Sequence, residues 1–256
     1  MKHYHYGWIK DAHDSRDRKL AIPKLLPKDV LPSCTNNLEY FPPCYDQGQL
    51  GSCTANAIAG IMEFERKKQG LSDFVPSRLF IYYNERDMEG TVDQDSGAQI
   101  RDGIKSINSL GAPDEAIWPY DINQFSVKPP PEVYAKALGD RALVYASVEQ
   151  TADSMKQALA QQLPFTIGFT VYPSFERIGP DGIYDGPTWL DKIRGPLGGH
   201  AVAIVDYDDV FDGGRFVVRN SWGTDWGKNG YFFVPYDYFA DPNQTSDLWN
   251  IQVIGA

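Results

Sequence analysis

Apolar residues recur at helical spacing through the first part of the chain and gather into short β-branched and aromatic runs from residue 165 onward. Ala55, Ile58, Ala59 and Met62 share one face of a predicted helix that begins at Cys53 and stops at Gly70. Ser77 to Arg86 suits a second helix, with Leu79, Phe80, Tyr82 and Tyr83 on its apolar surface. Asp95-Ser96-Gly97 opens a third, buried through Ile100, Ile104 and Ile107 and capped by Gly111. Pro129-Pro130-Pro131 marks a linker before a short helix over Val133 to Leu138. Thr151 with Ser154 offers N-cap chemistry to a helix running through Gln161. Phe165 to Val171, His200 to Val205, Arg215 to Asn220 and Tyr231 to Val234 then read as strands. A helical half followed by a sheet half predicts an α+β protein of two lobes, with a ligand cleft between them.

Residues 1–30 differ from the rest. Asp11, Asp14 and Asp17 alternate with Arg16, Arg18 and Lys19, and prolines at 23, 27 and 32 keep the chain extended. This stretch is expected as an arm on the surface of the body, the alternative being a disordered tail. Leu38 to Tyr45, with Phe41-Pro42-Pro43, is expected to be extended as it leads into the turn before Cys53.

The formal charge of −10, from 24 Lys and Arg against 34 Asp and Glu, argues against a nucleic-acid binder, because phosphate contacts need a basic face. The richest basic stretch, Glu65-Arg66-Lys67-Lys68, falls at a helix end and is expected as a solvated terminus complementing the dipole. No apolar run approaches membrane-spanning length, and residues 1–8 lack a signal-peptide core. The expected location is therefore the cytoplasm, or outside the cell only by a nonclassical route. Cys34, Cys44 and Cys53 are too few for a disulfide framework. Separate thiols are the default, with a Cys34–Cys44 bridge as the alternative.

Cys53 carries the chemistry. It stands where a turn becomes a helix, and the free N–H groups and dipole there favour a thiolate, the nucleophilic form. Gly51-Ser52 gives a turn able to present the Cys53 N–H to an oxyanion, and Gln47 can add a side-chain amide. His200 begins an apolar strand behind two glycines that leave its ring approachable, as suits a base for a thiol. Asn220 ends a strand beside Trp222, where a shielded amide oxygen can orient an imidazole. Paired Cys-x-x-Cys or His-x-x-x-His spacing is lacking, so no metal or organic cofactor is expected.

Together, Gln47-Gly48-Gln49-Leu50-Gly51-Ser52-Cys53, Gly199-His200-Ala201-Val202 and Asn220 to Tyr231 resemble the nucleophile, histidine and asparagine motifs of papain-like cysteine proteases. Trp118-Pro119-Tyr120 and Gly182-Ile183-Tyr184 are similar to shorter landmarks of that family. The resemblance runs from about Pro32 to Val253. It implies a helical lobe over about 45–140 and an antiparallel, barrel-like β lobe over about 141–256. It further implies a Cys53–His200 ion pair oriented by Asn220, an oxyanion hole of Gln47 and the Cys53 N–H, and Trp222 covering Asn220. Ser96 and Gly97 fall at the family's substrate-binding glycines, and Ala98, Gly168, Gly198 and Gly199 at its second subsite. The chain departs from the pattern at Thr54, where tryptophan is usual, and at Leu50, where a cysteine is usual; both departures resemble a compact, bacterial-type branch.

Papain-like proteases carry inhibitory pro-segments far longer than this arm, often crossing the cleft in reverse. Gly7 to Asp11 and Asp14 to Asp17 resemble short extensions on bacterial relatives. The arm is thus expected to cover part of the cleft, making the chain a zymogen-like monomer whose partner is a peptide or protein substrate. An amidase or transpeptidase with the same triad, and a catalytically silent binding protein, are the competing readings.

Overall fold

The computed structural model describes residues 4–20, 27 and 30–255. The reading of Pro23 falls outside them. In chain order the elements are β1 (Trp8–Ile9), α1 (Cys53–Lys68), α2 (Arg78–Glu89), β2 (Ala98–Gln99), α3 (Ile100–Leu110) and α4 (Pro131–Ala137). They continue with β3 (Arg141–Ser147), α5 (Ala152–Ala160), β4 (Phe165–Val171), α6 (Trp189–Arg194), β5 (Gly198–Asp208), β6 (Arg215–Arg219), β7 (Tyr231–Pro235), α7 (Tyr236–Ala240) and β8 (Thr245–Gly255). The expected caps are made. Ser77 Oγ accepts the Phe80 N–H, Thr151 Oγ1 accepts the Ser154 N–H, and Gly111 ends α3 at φ +76°.

Two cores lie side by side. One surrounds α1, which is buried from Cys53 to Arg66 between α2, α3 and the inner faces of β5 and β8. Small residues on α1 permit this depth: a side chain on Gly60 would crowd Arg219 Nε at 3.1 Å. The other core fills the β lobe with aromatic residues around Phe169, Phe175 and Phe232. The main sheet is antiparallel in the order β3-β8-β4-β5-β6-β7. Its outer strands β3 and β7 do not pair with each other, so it is an open sheet and no closed barrel.

Two strands of the main sheet escape a periodicity reading for physical reasons. β3 slips register between Ala142 and Tyr145, which breaks its alternation. β8 carries Ser246, Asp247 and Asn250 among its apolar residues, and Asp247 sits at φ +63°. The segment expected to be extended before Tyr45 instead holds a 3₁₀ turn, Asn37–Tyr40. Its cause is distant in sequence: Asp206 of β5 accepts the N–H groups of Asn37 and Leu38 at 2.7 and 2.9 Å. The basic end of α1 is also not simply solvated. Glu65 and Arg66 are buried, and Arg66 lies over Phe74, donates to Ser72 O and pairs with Asp140. Cys34, Cys44 and Cys53 are all free thiols. Among the described residues no helix is long and apolar enough to cross a membrane.

Candidate active site

Cys53 is the first residue of α1 and is fully buried. The turn before it is tied from several directions. Asp95 accepts the Gly51 N–H at 3.0 Å and the Tyr82 hydroxyl as well. Tyr120, from the Trp118-Pro119-Tyr120 landmark, donates to Gln47 O at 3.0 Å and meets Ser52 Oγ at 2.5 Å. Ser52 makes no side-chain cap, and of the first N–H groups of the helix that of Thr54 faces the sulfur. Thr54, where the family has tryptophan, donates its hydroxyl to the buried carboxyl of Glu85 at 2.6 Å.

His200 enters from β5 and Asn220 from the end of β6, adjacent strands that bring residues 20 apart into one buried pair. His200 Nε2 lies 2.7 Å from Asn220 Oδ1. That oxygen also accepts the Ser221 N–H at 2.8 Å, which fixes the amide orientation and makes Nε2 the donor. Nδ1 has no hydrogen-bond partner and is the free base position. Trp222 stacks on the imidazole with centroids 4.9 Å apart. Gln47 is fully buried; its Oε1 accepts the Ser221 hydroxyl at 2.6 Å and its Nε2 donates to Leu50 O at 2.8 Å, which leaves the second Nε2 hydrogen for the cleft.

The N-terminal segment runs through this cleft. Tyr4 stacks on Trp222 at 3.8 Å, and His5 O accepts from Gln47 Nε2 at 3.1 Å. The Gly7 N–H faces the Cys53 sulfur, and Gly7 O accepts the Ala98 N–H at 2.7 Å. Trp8 and Ile9 then pair in parallel with Ala98 and Gln99. A side chain on Gly7 would collide with the carbonyl of Gly51, so only glycine passes here. The indole of Trp8 fills a pocket beside Gly168 and Gly199 and donates to Asp247 Oδ2 at 2.9 Å.

Enclosure decides the protonation state. Burial pushes the Cys53 thiol up to about 12, against the pull of N–H groups from Ala201, Gly7 and Thr54. Burial also draws His200 down to about 4, partly opposed by Asn220. The helix-dipole argument for a thiolate is outweighed here, because the dipole supplies less than the loss of water removes. Burial thus works against the charged forms of both members of the pair, opposing the ion pair the resemblance implies.

Of the residues expected at the site, Cys53, His200, Asn220, Gln47 and Trp222 are brought together. Gly97, Ala98, Gly168, Gly198 and Gly199 line the path of the segment; side chains on Gly198 and Gly199 would crowd Tyr6 at 2.8 Å and Trp8 O at 2.5 Å. Ser96 is not among them. Its hydroxyl bonds Thr91 Oγ1 and Gly97 O, so the pair facing the segment is Gly97–Ala98, one residue later. Gly97 leaves the room and Ala98 supplies the N–H, while the Gly97 N–H goes to Tyr82. Periodicity could not find Ser221, Asp95 or Asp247, whose roles arise only from distant partners. Among the described residues no group of three or more His, Cys, Asp or Glu side chains converges as for a metal ion.

A buried thiol at a helix start, an imidazole with one free nitrogen, an amide that orients it and a peptide-filled cleft between two lobes describe a cysteine hydrolase of peptide-like substrates. The model of the papain family of cysteine proteases matches residues 33–240, and the chain belongs to that family. An uncharacterized peptidase C1-like protein of Acanthamoeba polyphaga mimivirus is 46% identical over 97% of this chain and 87% of its own. Cysteine proteinase 3 of Entamoeba histolytica is 27% identical over 91% of this chain and 70% of its own. The crystal structure of xylellain, a cysteine protease from Xylella fastidiosa, superposes with a TM-score of 0.85 at 40% identity, covering 97% of this chain and 96% of the other.

Proposed function

We propose that the chain hydrolyses peptide bonds through an acyl-enzyme on Cys53, and that its residues 4–12 hold it closed until displaced. His200 Nδ1 takes the thiol proton, and the sulfur attacks the carbonyl carbon of the scissile bond. The developing oxyanion is met by the Cys53 N–H and Gln47 Nε2. The intermediate collapses as His200 protonates the leaving amine, and water, deprotonated by the same imidazole, releases the acid. Asn220 keeps Nε2–H engaged throughout, so Nδ1 stays the working nitrogen.

The observation that carries this reading is how the protein's own chain lies in the cleft. A peptide carbonyl sits on Gln47 Nε2, and a peptide N–H faces the thiol. The site accepts backbone, yet the sulfur meets a nitrogen rather than a carbonyl carbon and has nothing to attack. Burial that disfavours the charged forms of Cys53 and His200 supports the same closed state.

The test is labelling with an epoxysuccinyl peptide, mapped by mass spectrometry, on the full-length chain, a Gly7→Val variant and Cys53→Ala. The expected adduct is on Cys53 alone, slow in the full chain and fast in Gly7→Val. Absence of an adduct in both would sink the peptidase reading, while equal rates would sink the closure reading.

The pocket filled by Trp8 also supports a substrate preference. A long or aromatic side chain ending in an N–H donor fits the same space against Asp247. In the Gly7→Val background, where the segment is already displaced, Asp247→Ala should lower kcat/KM for such peptides about fivefold, the worth of one hydrogen bond, and leave purely aliphatic ones unchanged. A peptide library read on both proteins checks it, and a uniform change across the library counts against it.

A further inference from the structure

We propose that Asp11 and Asp247 form a carboxyl pair that latches the N-terminal segment over the cleft at acidic pH and loosens it as pH rises. This rests on the reading of residues 4–12 as the closing segment. The pair joins segment to body in both directions. The backbone N–H of Asp11 donates to Asp247 Oδ2 at 2.8 Å, and the same oxygen takes the Trp8 indole N–H. From the body, Trp249 Nε1 donates to Asp11 Oδ2 at 2.8 Å and the Arg101 N–H to Asp11 Oδ1 at 3.2 Å.

Two carboxylates thus share one partly enclosed site. The cation nearest them is already committed. The Arg101 guanidinium donates to Ala12 O at 2.6 Å and to Asp17 Oδ2 at 3.1 Å. Asp102 of α3 adds negative charge behind it. On the open side Lys10, His13, Asp14 and Lys19 of the segment and Glu149 of the body line the adjoining groove. Burial and then the charge of Asp247 raise Asp11 to about 7, against hydrogen bonds from Trp249 and Arg101 that favour its charged form.

The direction follows from linkage. In a released segment Asp11 is an ordinary carboxyl titrating near ~4. Because closure raises that value, closure takes up a proton. Its contribution is complete below about pH 4, falls by up to tenfold per pH unit as pH climbs, and levels off above about 7.

Hydrogen exchange of residues 4–12 in the full-length chain, read by mass spectrometry between about pH 4.5 and 8.5, tests the latch. Protection is taken relative to an unstructured peptide of the same sequence at each pH. Wild type should lose roughly tenfold or more of its protection between about pH 5 and 7 and then stay level. Asp11→Asn should be protected and flat, Asp247→Asn should be shallower, and His13→Gln should keep the wild-type slope. Protection independent of pH in wild type, or an undiminished slope in Asp11→Asn, overturns the proposal. Because no turnover is read, an active full-length chain with a protected segment would defeat the closure reading and leave the latch standing.

Discussion

Replacing Gly7 by valine should open the enzyme, raising kcat/KM on a short peptide by roughly tenfold or more while leaving the fold intact. Any side chain at position 7 collides with backbone, the carbonyl of Gly51, and not with the movable end of a side chain. Gly51 cannot retreat easily, since Asp95 holds its N–H and Tyr82 holds Asp95. The segment must therefore leave. Overpacking of this kind costs about 1–3 kcal/mol, which corresponds to a five- to hundredfold shift toward the open state. Displacement should also return water to Cys53 and His200 and so relieve the burial that disfavours their charged forms. The same variant should therefore show a lower pH midpoint for alkylation of Cys53 by iodoacetamide. An unchanged kcat/KM together with an unchanged thermal midpoint would mean that the segment was never closing the site.

Gln47→Ala should cost about a hundredfold in kcat/KM, most of it in kcat, when measured in the Gly7→Val background. One preorganised donor to an oxyanion is worth about that much. The background matters because Gln47 Nε2 also holds the carbonyl of His5 in the closed chain, so the single variant would loosen the segment and disable the site together. Ser221→Ala, which leaves the amide but removes the hydroxyl bound to Gln47 Oε1, should lose less. Labelling of Cys53 should survive both substitutions, because neither touches the thiol or its base. A loss confined to KM would assign Gln47 to substrate binding rather than to the oxyanion.

The elements whose signals are local were legible in the chain. α1, α2 and α3 follow from apolar spacing and from caps at Ser77 and Gly111, and β4 from a run of β-branched and aromatic residues bounded by proline. Cys53, His200 and Asn220 stood out because each is a reactive type at the junction of a turn with a helix or strand. The 3₁₀ turn at Asn37 was hidden because its stabilising acceptor, Asp206, lies far along the chain. The register of Ala98 against the segment was not legible locally, because only its pairing with Trp8 sets it.

By itself the sequence determined which groups could do chemistry here, through residue type, cap and turn signals and short motifs that need no partner to be recognised. Only the tertiary structure decided their state. Burial and hydrogen bonding depend on atoms distant in sequence, so the dipole that favours a thiolate at Cys53 is opposed by the burial that the fold imposes on it. The same holds for the segment itself. Nothing local to Gly7 says that it must be glycine; the carbonyl of Gly51, brought against it by the fold, does.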